Sequence, residues 1–261
     1  MFFNWMYRRT NAQILIVLII FSVVFLGFIP RVLQSISFFT PTEDSTRLGL
    51  SLFGSIITLS GLLIGFLLNQ AQTNFREVQS LVSQEAGRIN NLDRLLTRYG
   101  DPAIAQIRKE LFDYIHSVVT DEWPDLQVGQ GNEKTHMLWR GISRKIMSLE
   151  PESNRQTAMY TDIIKKSEEV AESREARIER SSTRLPNLFW IVILICMTAL
   201  MAINTLFVQS DSFHLGLKIL PATLGALISL LIITDQPFKG QSSVRPDALN
   251  KIIESIKTRT E

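Results

Sequence analysis

The sequence has few of the residues from which catalytic and metal sites are commonly built. It contains one cysteine and three histidines among 261 residues. A single cysteine supports neither a disulfide framework nor a cluster of thiolate ligands, and His116, His136 and His214 lack the spacing of zinc ligands. Glycine-rich phosphate loops and nucleophile elbows are also missing. We therefore expect no enzyme activity, no cofactor and no metal site.

A strong excess of charge of either sign is lacking as well. The chain has 27 basic and 25 acidic residues, which gives a net charge of +2. Domains that bind nucleic acids carry a basic patch that attracts the phosphates, and this near-neutral chain does not suggest one. We expect no nucleic-acid partner.

Long apolar segments are present, and they are separated from the charged residues. Four apolar runs lie at 13–29, 48–68, 187–208 and 215–234. A helix needs about 20 apolar residues to cross the hydrocarbon core of a bilayer, and no segment shows the alternating pattern of a strand. The sequence therefore predicts an all-α integral membrane protein with four transmembrane helices.

The first run has a second interpretation, because Arg8 and Arg9 precede it as basic residues precede the apolar core of a signal peptide. A cleavage site made of small residues would then follow the run. The run instead ends at Pro30 and Arg31. We therefore favour a helix that stays in the membrane.

The distribution of lysine and arginine predicts the orientation, because cytoplasmic loops are enriched in both. The connection at 209–214 has neither residue and is predicted to lie outside. The basic residues predicted to lie inside are Arg8, Arg9, Arg76, Arg180, Arg184 and Lys239. These positions predict a multi-pass protein of the inner (plasma) membrane, surrounded by lipid, with both termini in the cytoplasm.

The same runs predict the domain organisation. The predicted parts are an N-terminal transmembrane pair at 1–68, a cytoplasmic helical domain at 69–186, a C-terminal transmembrane pair at 187–234 and a cytoplasmic tail at 235–261. No stop signal follows the second run, and apolar residues continue beyond it at spacings of three and four. We therefore expect one helix from Leu48 to Arg98.

Short motifs occur in order along most of the chain. They are Gly65 with Phe66; Glu85, Ala86 and Ile89; Tyr114; Glu122, Trp123 and Pro124; Arg174 and Arg177; Leu185, Pro186 and Trp190; and Asp235, Pro237, Phe238, Gly240, Val244 and Pro246. Their order and spacing resemble the bestrophin-like family of bacterial membrane proteins, which is similar to the bestrophin anion channels.

The resemblance implies a fold and a function. Bestrophins have four membrane helices per subunit, a helical cytoplasmic domain, and a pentamer whose second helices surround one ion pore. Their apolar constriction corresponds here to Thr58, Leu62 and Phe66, although Thr58 is polar where the channels carry a bulky apolar residue. The resemblance thus implies a homo-oligomeric channel for small inorganic ions, and in its finer form an anion (chloride) channel.

The segment after the fourth run departs from the channels. Asp235, Pro237, Phe238 and Gly240 match the family, but Lys239 and the polar residues that follow replace the acidic cluster with which bestrophins help to bind calcium. The resemblance therefore does not imply calcium gating.

One face of the second run consists of small residues. They are Ser51, Gly54, Thr58, Gly61 and Gly65, at spacings of three and four. Small faces allow helices to approach closely in lipid, so this face is predicted to pack against another helix. The alternative is that part of the run, with Thr58, Leu62 and Phe66, faces a pore.

Charged residues suggest two further sites. Glu85 interrupts an apolar stripe, where a carboxylate needs a partner, so it forms either a buried bridge to an arginine or part of a carboxylate ring in a cytoplasmic vestibule. Arg174, Arg177, Arg180 and Arg184 are predicted to form a basic ridge towards the membrane. Such a ridge would attract anionic lipid headgroups or draw anions towards a pore.

A function of a different class is compatible with the same sequence. The chain could be a membrane-anchored scaffold or signalling module whose cytoplasmic helices bind a protein and whose membrane helices conduct nothing. Ion flux through liposomes that contain the purified protein distinguishes this function from a channel.

Overall fold

The computed structural model describes residues 5–36, 41–207 and 213–259, without the side chains of 213–218. Residues 209–212 of the predicted outer loop lie outside this part. Of the described residues, 84% are helical and none is in a strand, which confirms the all-α prediction. The helices are α1 (Asn11–Ile36), α2 (Glu43–Tyr99), α3 (Ala103–Ser117), α4 (Glu133–Met147), α5 (Asn154–Ser181), α6 (Asn187–Asn204), α7 (Phe213–Asp235) and α8 (Asp247–Thr258).

The chain divides into two compact units, and helix α2 contributes to both. The first, here called the apolar unit, consists of Met1–Asn74 and Arg184–Ser243. The second, here called the hydrophilic unit, consists of Phe75–Thr183 and Val244–Glu261. The segment predicted as one tail at 235–261 is thus shared between the two units.

Helix α2 is continuous over 57 residues, which confirms the predicted helix from Leu48 to Arg98. At its N-terminus the N–H of Ser45 donates to Thr42 Oγ1 and the N–H of Thr42 donates to Ser45 Oγ, and such caps satisfy N–H groups that have no partner within a helix. Helix α2 ends before Gly100, whose φ of 83° is in the left-handed region that glycine adopts without strain.

Helix α1 is longer than predicted, because it continues through Pro30 to Ile36. Proline has no N–H to donate to the carbonyl four residues earlier, which here belongs to Leu26. The buried side chain of Asn204 in α6 donates to this carbonyl instead, at 2.7 Å. A π turn at Val24–Phe28 shifts the hydrogen-bond register just before the proline, so the helix is not broken.

Helices α1, α2, α6 and α7 form the core of the apolar unit. Its fully buried side chains include Leu26, Leu67, Leu200 and Leu231. By length and composition, α1, α2 and α6 could each cross a membrane, whereas the stretch Ile219–Asp235 of α7 is a shorter apolar helix. The structure thus has three helices of spanning length among its described residues.

The hydrophilic unit has a core of its own, formed by the second half of α2 with α3, α4, α5 and α8. Its fully buried members include Ile89, Leu111, Ile142, Val170 and Leu249. Helix α8 is tied to α2 by polar contacts as well. The Arg259 guanidinium, just after α8, lies 3.2 Å from Asp93 Oδ2 and donates to Asn90 Oδ1 at 2.7 Å.

Candidate functional site

One face of α2 in the apolar unit is exposed within the single chain. Leu62 is 68% exposed and Phe66 is 62% exposed, although both are large apolar residues. Thr58 is exposed on the same face, and its hydroxyl donates to the carbonyl of Gly54 at 2.8 Å. The opposite face, which includes Ile64 and Leu67, is buried. The three residues of the predicted constriction therefore share one exposed helix face.

This face continues in both directions along α2, and we call it the α2 stripe. Its members, all exposed and three or four residues apart, are Ser51, Ser55, Thr58, Leu62, Phe66, Asn69 and Thr73. Residues at these spacings lie above one another on a helix. The α2 stripe is therefore polar at both ends and has an apolar band in the middle, at Leu62 and Phe66.

The predicted small-residue face shares Ser51 and Thr58 with the α2 stripe, and its glycines have no close neighbour among the described residues. A Cβ atom built on Gly54, Gly61 or Gly65 would have no other atom within 4 Å, and Ser51 is exposed. The glycine of α2 that does pack closely is Gly49, where a Cβ atom would lie 2.8 Å from Phe207 Cε1. Spacing alone did not identify Gly49, because it lies outside the repeated pattern.

A second candidate site is a buried ion network in the hydrophilic unit. Arg177 of α5 is fully buried; its Nε donates to Glu85 Oε2 at 2.5 Å and its Nη2 donates to Glu122 Oε1 at 2.7 Å. Arg174 binds Glu122 from the neighbouring turn of the same helix, with its Nε 3.1 Å from Oε2. One helix thus supplies two arginines, and two other segments supply the two carboxylates.

The π turn at Val118–Glu122 helps to position the carboxylate of Glu122. It directly precedes Trp123, whose ring centroid lies 5.4 Å from the guanidinium carbon of Arg177. Asp121, one residue earlier, lies nearer the surface and forms a 2.8 Å salt bridge with Lys134. A π turn adds one residue to a helical turn and is frequent at functional sites.

The contacts within the network shift the pKa values of Glu122 and Arg177. Burial alone would raise the pKa of Glu122, but the charge of Arg177 and the hydrogen bond from Arg174 outweigh burial and lower it. The pKa of Arg177 is raised above its ordinary value: burial lowers it, and the charge of Glu85 more than compensates. Burial also raises the pKa of the adjacent Tyr114 hydroxyl.

The lowered pKa of Glu122 predicts sensitivity to acid. A carboxylate whose pKa is lower in the folded state contributes stability at pH values above its unfolded pKa, and this contribution is lost as pH falls through the folded pKa. We expect the free energy of unfolding to be constant near pH 7 and to fall below about pH 4. Denaturant titrations of the detergent-solubilised protein at several pH values measure this, and a Glu122→Gln variant is expected to have a flatter pH profile.

The predicted basic ridge is wrong. Arg174 and Arg177 are buried and bound to carboxylates, and Arg180 is paired with Glu77 at 2.8 Å. Arg184 is exposed but follows the end of α5 at Ser181, so it does not extend a helical row. The spacing correctly placed Arg174 and Arg177 on one face, but that face packs against the two carboxylates. Of the two alternatives for Glu85, the contacts correspond to the buried bridge, because Arg177 donates to its carboxylate.

The motif after α7 links three segments of the apolar unit. Asp235 Oδ1 accepts the N–H of Leu185 at 2.8 Å, Phe238 is buried, and Gly240 has a φ of 79°. A Cβ atom on Gly240 would lie 3.5 Å from the ring of Tyr7. Together with Pro237, these residues form a turn. The turn holds the end of α7 and the start of α6 beside the segment that precedes α1.

Comparison with known proteins identifies relatives over most of the chain. The model of a family described as the bestrophin-like domain matches residues 15–249, and no curated protein matches. Among solved structures, a tryptophan-to-alanine variant of a bacterial bestrophin homologue from Klebsiella pneumoniae has a TM-score of 0.70 at 13% identity, covering 97% of this chain and 98% of that one. The same homologue solved by Zn-SAD phasing has a TM-score of 0.69 at 14% identity, covering 95% and 98%. At these identities the structural likeness establishes the fold.

Proposed function

This chain belongs to the bestrophin-like family, and we propose that it forms a homo-oligomeric ion channel, with a pentamer favoured, whose pore is lined by the α2 stripe. In this proposal α1, the first part of α2, α6 and α7 cross the inner membrane. The hydrophilic unit and both termini lie in the cytoplasm. No catalytic residue is assigned.

The exposure of the α2 stripe carries this proposal. In lipid, a polar side chain such as Asn69 is costly unless another polar group binds it. The same side chains have no such cost when they face water. Leu62 and Phe66 would then form apolar rings in the pore, and apolar constrictions gate channels by excluding water. A helix face that is polar, then apolar, then polar fits a pore with one narrow region.

Oligomerisation follows from the same geometry, because a single helix face cannot enclose a pore. Rotational symmetry would bring the α2 stripes of several copies around one axis. Neighbouring α2 helices could then approach closely at Gly54, Gly61 and Gly65, as small residues allow in membranes.

The glycines make oligomerisation testable. Within one chain Gly61→Ala and Gly65→Ala meet no atom, so we expect the protomer's thermal stability to be unchanged. Between chains, overpacking of this kind costs about 1–3 kcal/mol, so a smaller assembly is expected by light scattering in mild detergent. Gly225→Ala is the contrasting variant, because its Cβ atom would lie 2.6 Å from the carbonyl oxygen of Leu18 and should destabilise the protomer itself. An unchanged assembly in both the Gly61→Ala and Gly65→Ala variants contradicts packing of α2 helices at these glycines.

Arg76 is the residue that supports anion selectivity in the proposed pore. The sequence from 48 to 75 contains no charged residue, and Arg76 follows Thr73 by one turn on the same helix and is exposed. A ring of arginines at the end of a pore attracts anions. We expect Arg76→Gln to lower the chloride-to-sodium permeability ratio and Arg76→Glu to lower it further. Reversal potentials in a salt gradient measure the ratio, and Arg94→Gln, an exposed position farther along α2, serves as the control.

Flux through liposomes tests the function as a whole. Purified protein reconstituted into liposomes is expected to release chloride faster than empty liposomes do, and size measurement in detergent is expected to give an oligomer. A monomer without flux contradicts the channel and favours the scaffold function.

A further inference from the structure

The apolar unit contains a long apolar groove that the proposed pore does not use. It has a volume of about 620 Å³ and is formed by α1, α6 and α7 together with the segment before α1. This volume lies within the range of about 300–1,000 Å³ that is typical of ligand sites. Its lining includes Trp5, Val17, Phe25, Trp190, Leu194 and Ile228.

The groove is about as deep as one leaflet of a bilayer. In α1 its lining extends from Val17 to Phe25, and these eight residue-to-residue steps correspond to about 12 Å along a helix. Half of a bilayer's hydrocarbon core is about 15 Å. One end lies at Trp5 and Trp190, and tryptophan is enriched at the interface between membrane and water. The dimensions therefore fit an extended acyl chain that enters from one surface.

The Trp5 end of the groove is basic. The guanidinium carbon of Arg9 lies 5.2 Å from the centroid of the Trp5 ring, which lines the groove. Arg8 and Arg184 are exposed in the segments that precede α1 and α6. Lys239 Nζ lies 5.8 Å from the centroid of the Tyr7 ring.

Positive charge exceeds negative charge in the segments at this end. The segments 5–11, 184–190 and 232–243 contain four basic residues and one acidic residue, Asp235, whose carboxylate accepts the N–H of Leu185 and interacts with the charge of Arg184. The pKa of Lys239 is lowered, first by burial and then by the positive charge of Arg184. Lys239 and Arg184 are therefore close enough for their charges to interact.

We propose that this groove binds one acyl chain of an anionic phospholipid, with the headgroup phosphate held by the basic residues at the Trp5 end. The apolar walls would recognise the chain, and Arg8, Arg9, Arg184 and Lys239 would select an anionic headgroup over a zwitterionic one. The site is separate from the α2 stripe, so the proposal does not depend on ion conduction.

Lipid retention by the full-length protein tests the proposal. The purified chain is mixed with equal amounts of phosphatidylglycerol and phosphatidylcholine that carry the same acyl chains, and bound lipid is counted by native mass spectrometry. We expect one phosphatidylglycerol per chain. Each nearby cation should increase the preference for phosphatidylglycerol over phosphatidylcholine about five-fold. The double variant Arg8→Gln, Arg9→Gln should therefore lower this preference at least about five-fold. Equal retention of both lipids overturns the proposal.

Two adjacent residues of α6 provide a matched pair of variants. Leu194 lines the groove and is 59% exposed, whereas Ile195 does not line it and is 58% exposed. Leu194→Trp should fill the groove and lower retention at least ten-fold, and Ile195→Trp should leave it unchanged. Equal retention in the two variants overturns the site. Circular dichroism and assembly size matching the unsubstituted protein establish that both variants are folded.

A photoreactive residue distinguishes lipid from the other possible occupant, a second copy of the chain. A variant with benzoylphenylalanine in place of Val17 is reconstituted into vesicles of phosphatidylglycerol and phosphatidylcholine and irradiated. Cross-linking to lipid, abolished when Leu194→Trp is added, supports the proposal. Cross-linking to another copy of the protein overturns it, because the groove would then be covered in the assembly.

Discussion

Replacing Arg177 with methionine is expected to destabilise the hydrophilic unit by about 3–5 kcal/mol, because removal of one partner leaves the other charge buried without compensation. Here two carboxylates, Glu85 and Glu122, lose the guanidinium that lies between them. Arg174 still binds Glu122, so the carboxylate left without a charged partner is that of Glu85. A loss of this size is a large fraction of the total stability of a typical domain.

The matched control is Arg180→Met, one turn farther along α5. Arg180 and Glu77 are both more than 40% exposed, and exposed ion pairs contribute about 0–1 kcal/mol. Chemical denaturation of both variants in the same detergent compares the two sites directly. Equal stability of the two variants would show that the buried network contributes no more than a surface ion pair.

Glu85→Gln separates the two interpretations of Glu85. A glutamine keeps a side-chain oxygen that can accept from Arg177 but removes the charge, so the buried bridge predicts a loss of stability with ion selectivity unchanged. A carboxylate ring in a vestibule predicts the reverse. The contacts of Glu85 with Arg177 favour the first outcome.

The sequence was most informative about features that depend on neighbours along the chain. The continuity of α2 could be predicted because no proline interrupts its apolar periodicity before Gly100. The burial of Glu85 could be anticipated as well, because a charged residue within an apolar stripe needs a partner. Identifying Arg177 as that partner required the packing of α5 on α2, which is a contact between residues 92 positions apart.

The errors have physical causes in tertiary packing. Helical spacing placed Arg174 and Arg177 on one face, but it could not indicate whether that face meets lipid, water or a carboxylate. The first helix was predicted to end with its apolar run at Ile29, before Pro30 and Arg31, but the helix continues because a side chain replaces the hydrogen-bond donor that proline lacks. The compensating donor, Asn204, lies 178 residues from Leu26 in the sequence, and no local pattern reveals it.

Shortening Leu62 and Phe66 to alanine is expected to raise ion conduction, because these are the large apolar side chains in the middle of the α2 stripe. Smaller side chains would widen the constriction and weaken the exclusion of water from it. A barrier lowered by about 1.4 kcal/mol corresponds to roughly ten-fold more current. Planar-bilayer recordings of the single variants and of the double variant measure the change, and the double variant should have the largest current.

Leu50→Ala is the control for this experiment. Leu50 is a leucine of the same helix, and its side chain is 47% exposed. Because it lies twelve residues from Leu62, it points about 120° away from the α2 stripe. A change in current that is confined to the Leu62 and Phe66 variants therefore cannot be explained by a general loosening of α2. Unchanged currents in all three stripe variants contradict a pore at this face, because no narrow region lined by Leu62 and Phe66 could be insensitive to the loss of both side chains.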